Sequence, residues 1–358
     1  LNVFPEKSAV AGRRGVEVLA KKLYVKDITE KRAVDCWYVI SGAEIRSKTT
    51  GGKYLTCTVS DCTGTISCKI WGRSDDSEVE TISENLQNGS VYRISGSAKM
   101  YNGTLEINVN EGIGFLNLAV PESELDPSEF TYAPVDTEVV QREIWNLLTT
   151  IQDKPLRSLT KRALGKAEGF FEKPAAVKNH HAYRGGLAEH TLEVARIALY
   201  SAETMPRFQA DHDLILAGAL LHDIGKCDGF EKEGFSFSAL PAYRLHGHIV
   251  QAIALLSAIR TANGPDDTTF SHLLHIVASH HGEYGDVKPM TAEAWAVHMA
   301  DNTSAKLRGV SDDLERCQPA SFEWGNQSHG QVYRFDGQKS EKQHDSKDRE
   351  DSGQVRLF

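Results

Sequence analysis

The sequence lacks several features, and each absence narrows the reading. Its six cysteines form no C-x-x-C pair, so neither a disulfide framework nor a thiolate zinc site is indicated. Cys57, Cys62 and Cys68 fall in a strand-rich stretch, where small core residues are the expected use and ligation is the alternative. No apolar run approaches the length of a membrane span; the longest, Leu214 to Leu221, is interrupted by a glycine. Residues 1–20 carry no basic-then-apolar leader pattern. Excess positive charge is also missing, since the net charge is -9. Nucleic-acid binding through bulk charge is thereby excluded, which leaves local basic patches and stacking. There is no internal repeat. A cytoplasmic protein in a reducing compartment, without membrane contact, is the expectation.

The chain has 358 residues, room for two domains of ordinary size, and its 40% hydrophobic and 25% charged content is that of a globular protein. Residues 1–20 lack periodic pattern and read as a mobile leader. From 21 to 118 the texture is β, with alternating runs at Tyr38-Val39-Ile40, Tyr54 to Val59, Thr65 to Trp71, Val91 to Gly96 and Leu105 to Val109. Ser60 to Gly64 reads as a hairpin turn, and a helix is expected over Glu78 to Leu86. Five strands with a helix between the third and fourth match an OB-type barrel. Residues 119–137, with Pro121, Pro127 and Pro134, read as a linker. Residues 138–325 show helical periodicity, including one helix expected over Leu214 to Lys226. Residues 326–358 form a polar tail in which Gly337 to Gly353 has a disordered composition.

Fourteen histidines are many for this length, and they cluster in the helical half. His190, the pair His222-Asp223, His248, the pair His280-His281, and Asp301 each fall on or at the end of an expected helix. A helix turns about 100° per residue, so adjacent side chains can flank one position or serve two. Imidazole with carboxylate suits divalent transition ions. A single histidine on an apolar helix is usually structural; five such sites on successive helices are not so easily dismissed.

Three motifs carry a resemblance. Asp61-Cys62-Thr63-Gly64-Thr65-Ile66 through Trp71 resembles the D-x-T-G hairpin of nucleic-acid-binding OB domains related to tRNA anticodon-binding domains. Leu221-His222-Asp223-Ile224-Gly225-Lys226, with His190 upstream and Asp301 downstream, resembles the H…HD…D pattern of the HD phosphohydrolase superfamily. The domain order, His180-His181-Ala182-Tyr183-Arg184-Gly185-Gly186-Leu187-Ala188-Glu189-His190-Thr191 and Ser279-His280-His281-Gly282-Glu283-Tyr284-Gly285 together resemble the YhaM-type 3′→5′ exoribonucleases. The cyclic-dinucleotide branch of HD enzymes, with Gly-Tyr-Pro after its double histidine, is a poorer match. The chain departs from the pattern at Gly186-Leu187-Ala188, where a bulkier apolar residue is common. The resemblance spans about residues 20–325 and implies a multidomain fold, an all-β OB-type barrel followed by an all-α HD helical bundle.

The resemblance also implies roles. Two divalent ions are expected, Mn²⁺ favoured over Mg²⁺, Fe²⁺ or Co²⁺. His190, His222, Asp223 and Asp301 are assigned to one ion; His248, His280 and His281 share the other, with Asp223 as bridge and catalytic centre. Lys226 is a catalytic cation for a substrate phosphate, or a solvated helix end. His180, His181 and Arg184 contact the terminal nucleotide, or form a polar loop bracing the metal centre. In the barrel, Tyr54, Trp71 and Tyr101 are stacking candidates, with Lys69 and Arg73 on phosphates; barrel core is the alternative. Gln354, Leu357 and Phe358 resemble the Q-x-x-L-F peptide that binds the bacterial replication sliding clamp, with chance or a cloning remnant as the alternative. The leading functional expectation is an exonuclease on single-stranded RNA, with DNA as a second substrate. A phosphohydrolase of small nucleotides and a non-catalytic binding protein are the competitors. A homo-oligomer stands open beside the monomer.

Overall fold

The computed structural model describes residues 9–11, 17–19, 21–71, 76–101, 104–109, 119–177, 181–205, 207–325 and 327–336. Arg73, His180, Gln354, Leu357 and Phe358 lie outside these residues. Within the expected leader, β1 (Ala9–Ala11) and β2 (Glu17–Leu19) pair antiparallel. Strands this short leave no room for a visible alternation.

The barrel comprises β3 (Ala33–Ser47), β4 (Lys53–Asp61), β5 (Gly64–Ile70), α1 (Asp76–Asn85), β6 (Val91–Tyr101) and β7 (Thr104–Val109). It closes in the order β3-β4-β5-β7-β6, with β6 back on β3 and β5 parallel to β7. Alternation drives this. Leu55, Cys57 and Val59 of β4 point inward, while Tyr54, Thr56 and Thr58 lie half-buried on the other face. Cys57 sits opposite Cys68 and both are buried as free thiols. The β4–β5 turn is held by Asp61, whose Oδ1 accepts from Thr63 N at 2.8 Å and Thr63 Oγ1 at 2.6 Å.

The stretch expected as a linker is packed. Val120 bridges to Val91, α2 (Pro127–Phe130) follows a short 3-10 turn, and Leu125 and Phe130 are buried against Val39 and Val91. The prolines start these turns rather than loosen the chain: Pro127 opens α2 behind its cap Asp126. Two apolar side chains among many acids then suffice to dock the segment.

The helical part contains α3 (Thr137–Thr150), α4 (Lys154–Lys166), α5 (Gly186–Thr204), α6 (His212–Leu221), the hairpin β8 (Phe230–Glu233) and β9 (Ser236–Ala239), α7 (Pro241–Leu245), α8 (Gly247–Ile259), α9 (Asp267–Ser279) and α10 (Ala292–Arg316). Much of the acidic excess is spent on helix starts: Asp136, Asp153, Asp211 and Asp266 accept backbone N–H bonds at the N-termini of α3, α4, α6 and α9. Helix α6 is apolar on every side and is the central helix; Leu214 to Leu221 are all buried. A Cβ at Gly218 would lie 2.5 Å from Ile276 Cγ2, so α6 and α9 approach on a missing side chain. The helix expected to run to Lys226 stops at Leu221 and gives way to a 3-10 segment, Ile224–Gly229. Its tighter turn brings residues three apart into line, which sets Lys226 beside Asp223.

The described residues fall into two compact units that part between Leu307 and Arg308. The second holds the end of α10 and the hairpin β10 (Ser321–Gly325) and β11 (Gly330–Arg334), which crosses the expected tail boundary at 325. Asp313 Oδ2 caps its turn by accepting from Gln327 N at 3.0 Å and Ser328 N at 2.7 Å. No helix among the described residues is long and apolar enough to cross a membrane.

Candidate metal centre and strand-binding face

Helix ends and two residues within helices place the centre. His190 sits one turn into α5, His222 and Asp223 end α6, and His280 and His281 end α9. His248 begins α8, and Asp301 lies mid-way along α10. His190, His222 and Asp301 bring ligand atoms within 4.8 Å of one another, and so do His248, His280 and His281. Asp223 stands between the two groups. Its Oδ2 is 3.4 Å from His222 Nε2 and 3.6 Å from His190 Nε2. Its Oδ1 is 3.3 Å from His248 Nε2 and 3.6 Å from His280 Nε2. One carboxylate thus divides its oxygens between two imidazole clusters.

The hydrogen bonds fix which ring nitrogens face inward. His222 Nδ1 lies 2.7 Å from Ala219 O, and His280 Nδ1 lies 2.7 Å from Val277 O. A carbonyl only accepts, so both Nδ1 atoms carry the proton and both Nε2 atoms are lone pairs in the neutral rings. For His190, the Ser304 hydroxyl donates to Glu193 Oε2 at 2.6 Å and so accepts from His190 Nδ1 at 2.9 Å. His190 Nε2 then faces His222 Nε2 at 3.3 Å, and His248 Nε2 faces His280 Nε2 at 3.4 Å. Asp223 Oδ1 is buried and takes no hydrogen bond of good geometry among the described residues. The inward Nε2 atoms of four imidazoles thus converge on the two oxygens of Asp223, with His190 Nε2 also 3.1 Å from Asp301 Oδ1. The residues present therefore fit divalent ions.

Charge follows the same geometry. Burial pushes His248 down to about 3, and burial with the neighbouring His280 pushes His281 down to about 4. Burial lowers His190, with Asp301 opposing. These rings stay neutral, the state a ligand needs. Burial also opposes ionisation of Asp223, but Lys226 and then His222 hold its carboxyl well below the usual range. Lys226 Nζ donates to Asp223 Oδ2 at 2.6 Å.

On the barrel, Tyr54 and Trp71 stack with ring centroids 4.8 Å apart. Trp71 Nε1 donates to Asn108 Oδ1 at 2.6 Å, which fixes the indole. Lys69 Nζ lies 4.0 Å from the centre of the Tyr101 ring and pairs with Glu106 at 2.7 Å. Tyr101 is 57% exposed, whereas Tyr38 and Tyr92 are core.

Residues 187–306 match the HD domain, and residues 39–113 match the OB-fold nucleic acid binding domain related to tRNA anticodon binding. The 3'-5' exoribonuclease YhaM of Halalkalibacterium halodurans is 31% identical over 299 residues, 81% of this chain and 88% of that protein. YhaM of a Geobacillus species is 30% identical, covering 85% of this chain and 91% of its own length. YhaM of Shouchella clausii is 30% identical, covering 81% and 89%. The chain belongs to the YhaM 3'-5' exoribonuclease family.

Within this YhaM-family chain, His190, His222, Asp223, His248, His280, His281 and Asp301 come together from five helices. His181 does not face outward. It is buried, adopts φ 56°, and sets Nε2 3.2 Å from Glu193 Oε2, with its ring 5.2 Å from that of His190. The ring therefore faces Glu193 and His190 rather than solvent. Gly186 makes the fit, since a Cβ there would overlap the His181 carbonyl. Arg184 is partly exposed and pairs with Glu172 at 3.1 Å. Sequence reading missed Glu193, Ser304 and His298. Glu193 and Ser304 orient His190, and His298 Nδ1 lies 2.7 Å from the His280 carbonyl. Helical spacing held the clue: Glu193 is three residues after His190 and Ser304 three after Asp301, each on the ligand's own face.

Proposed function

We propose that this chain is a cation-dependent 3′→5′ exonuclease acting on single-stranded RNA, its barrel holding the strand and its helical centre cleaving the terminal phosphodiester. The observation that carries the reading is the Asp223 carboxylate divided between two imidazole clusters, in a chain whose relatives are named 3'-5' exoribonucleases. His190, His222, Asp301 and Asp223 Oδ2 would hold one ion; His248, His280, His281 and Asp223 Oδ1 would hold the other. The nitrogen-rich donor set favours Mn²⁺ or Fe²⁺ over Mg²⁺. Ions bound there supply Lewis acidity toward water and toward the phosphodiester. Lys226 pairs with Asp223. The Lys226 ammonium, 2.6 Å from Asp223 Oδ2, would serve a phosphoryl oxygen as a point charge. Glu193 and Ser304 hold the far side of the His190 ring, so that its Nε2 is aimed inward beside Asp301 Oδ1.

The barrel's share is distant binding energy. Tyr54, Trp71 and Tyr101 offer ring faces to bases, and Lys69 and Arg73 offer charge to the backbone. Local charge and stacking reconcile strand binding with an acidic chain. The test uses metal-stripped, full-length protein with Mn²⁺ and 5′-labelled single-stranded RNA and DNA. A ladder shortening one nucleotide at a time from the 3′ end is expected on RNA, with Asp223→Asn silent. Internal cuts, or turnover of mononucleotides alone, would overturn the reading; the DNA lane settles sugar preference.

A further inference from the structure

Between Asp223 and His248 the chain leaves the helical bundle, forms the β8–β9 hairpin and returns. The base of this hairpin belongs to the metal centre. The 3-10 segment that carries Lys226 runs directly into β8, and Leu240 N closes the base by donating to Gly229 O at 2.9 Å. Phe230 packs on Tyr243 with centroids 5.0 Å apart, just before α8 presents His248. Gly225 lies against α8 so closely that a Cβ would overlap the His248 carbonyl. Four-residue strands at about 3.3 Å per residue carry the tip roughly 13 Å from this base.

The tip belongs to the barrel. Asn88, in the loop between α1 and β6, donates from Nδ2 to Glu233 Oε2 at 2.6 Å and to Ser238 Oγ at 2.8 Å. Its Oδ1 accepts from Gly42 N at 2.9 Å, at the bulge in β3. Ser238 Oγ in turn donates to Glu233 Oε2 at 2.5 Å. Phe235 N donates to Gly89 O at 2.9 Å, and the Phe235 ring joins the cluster of Val39, Val91, Leu125 and Phe130. Gly89 and Gly234, with φ 74° and 55°, lie back to back; a Cβ on either would overlap the other segment's backbone. Both printed donations of the half-buried Asn88 amide thus go to the hairpin, while its oxygen is held by the barrel's own backbone.

We propose that the β8–β9 hairpin is the strut that sets the barrel's position relative to the metal centre, with Asn88 as its positioning residue. Because the strut is rooted between Asp223 and His248, it fixes how a strand held on the barrel enters the centre. It acts on long substrates and leaves the chemistry alone. The inference rests on the exonuclease reading above.

The test compares full-length wild type, Asn88→Ala and Asn88→Asp on two substrates with Mn²⁺: bis(p-nitrophenyl) phosphate, which the barrel cannot reach, and a single-stranded RNA 20-mer. Asn88→Asp sets a carboxylate against Glu233 and checks that electrostatics, not volume, matters. For both variants kcat and KM on the small diester are expected within twofold of wild type. On the 20-mer kcat/KM is expected to fall about tenfold or more, as misplacement of a bound substrate does. Equal losses on both substrates would make the hairpin a folding support, and unchanged 20-mer trimming would make it idle; either result overturns the proposal. Should Asn88→Ala fail to fold, Ser238→Ala, which removes one of the amide's partners, is expected to show the same split to a smaller degree. Wild type inactive on the 20-mer but active on the small diester would instead refute the exonuclease reading itself.

Discussion

Two buried carboxylates set the two halves of the molecule apart. Asp61 in the barrel is fully served: Lys21 Nζ lies 3.2 Å away, Val25 N donates at 2.8 Å, and Thr63 donates from both N and Oγ1. Lys21 itself donates to the Trp37 carbonyl and lies over the Tyr38 ring at 3.7 Å. Asp223 in the helical half is equally buried, but it has one ammonium on Oδ2, and its Oδ1 faces the His248 and His280 rings at 3.3 and 3.6 Å without a hydrogen bond of good geometry among the described residues. The same residue type at the same depth therefore does different work. A buried charge with a full set of donors holds a turn in place. A buried charge set among imidazoles is a donor set that suits a divalent cation.

The largest effect should come from Asp223. Asp223→Ala is expected to reduce RNA trimming by about three orders of magnitude, while binding of the same oligonucleotide, followed by fluorescence anisotropy, stays within a few-fold. Asp61→Ala should do the reverse. It strands the buried Lys21, and unfolding by urea should show a loss of about 3–5 kcal/mol, with hydrolysis of a small diester by the folded fraction unchanged. If Asp61→Ala lowered turnover as far as Asp223→Ala, the contrast between the two carboxylates would fail.

The stacked pair on the barrel sharpens the division further. Trp71→Ala should weaken single-strand binding by about 1–3 kcal/mol and spare small-diester hydrolysis. Affinity unchanged in this variant would move the strand to another face.

The smallest effect is a pH dependence confined to the helical half. His248 and His281 titrate at about 3 and about 4 when folded, against 6.5 for the free ring. Between those values the unfolded chain binds more protons than the folded one, so stability falls as pH drops from 6.5 toward 4. His222 works in the opposite sense: burial opposes its charge, but Asp223 and Asp301 raise it overall. Melting of metal-stripped protein at pH 7 and pH 5 should show a drop on the order of 5 °C at the lower pH, and His248→Ala should flatten it. A melting temperature that rises on acidification would mean that His222 dominates.

The barrel was almost fully legible in the sequence, because alternation over β4 and β5 and the Asp61-Cys62-Thr63-Gly64 turn are local signals. Its boundaries were less so; β3 begins at Ala33, several residues before the visible run at Tyr38. The candidate ligands were legible as types and spacings, and in the structure their helices bring those side chains together. What stayed hidden depends on geometry that spacing does not encode. The end of α6 at Leu221 follows from the switch to a 3-10 turn, not from any breaker in His222-Asp223-Ile224. The burial of His181 follows from a left-handed backbone over Gly186. The packing of Leu125 and Phe130 was masked by the acids and prolines around them.

The central claim is that Asp223 is shared between two cation sites, and metal counting tests it most directly. Full-length protein, stripped and reloaded with Mn²⁺, then dialysed, is assayed for bound metal by elemental analysis alongside His248→Ala and Asp223→Asn. The expected result is two ions per chain in the wild type, one in His248→Ala, and loss from both sites in Asp223→Asn. Two ions retained in Asp223→Asn, or a wild type that never holds more than one, would contradict it.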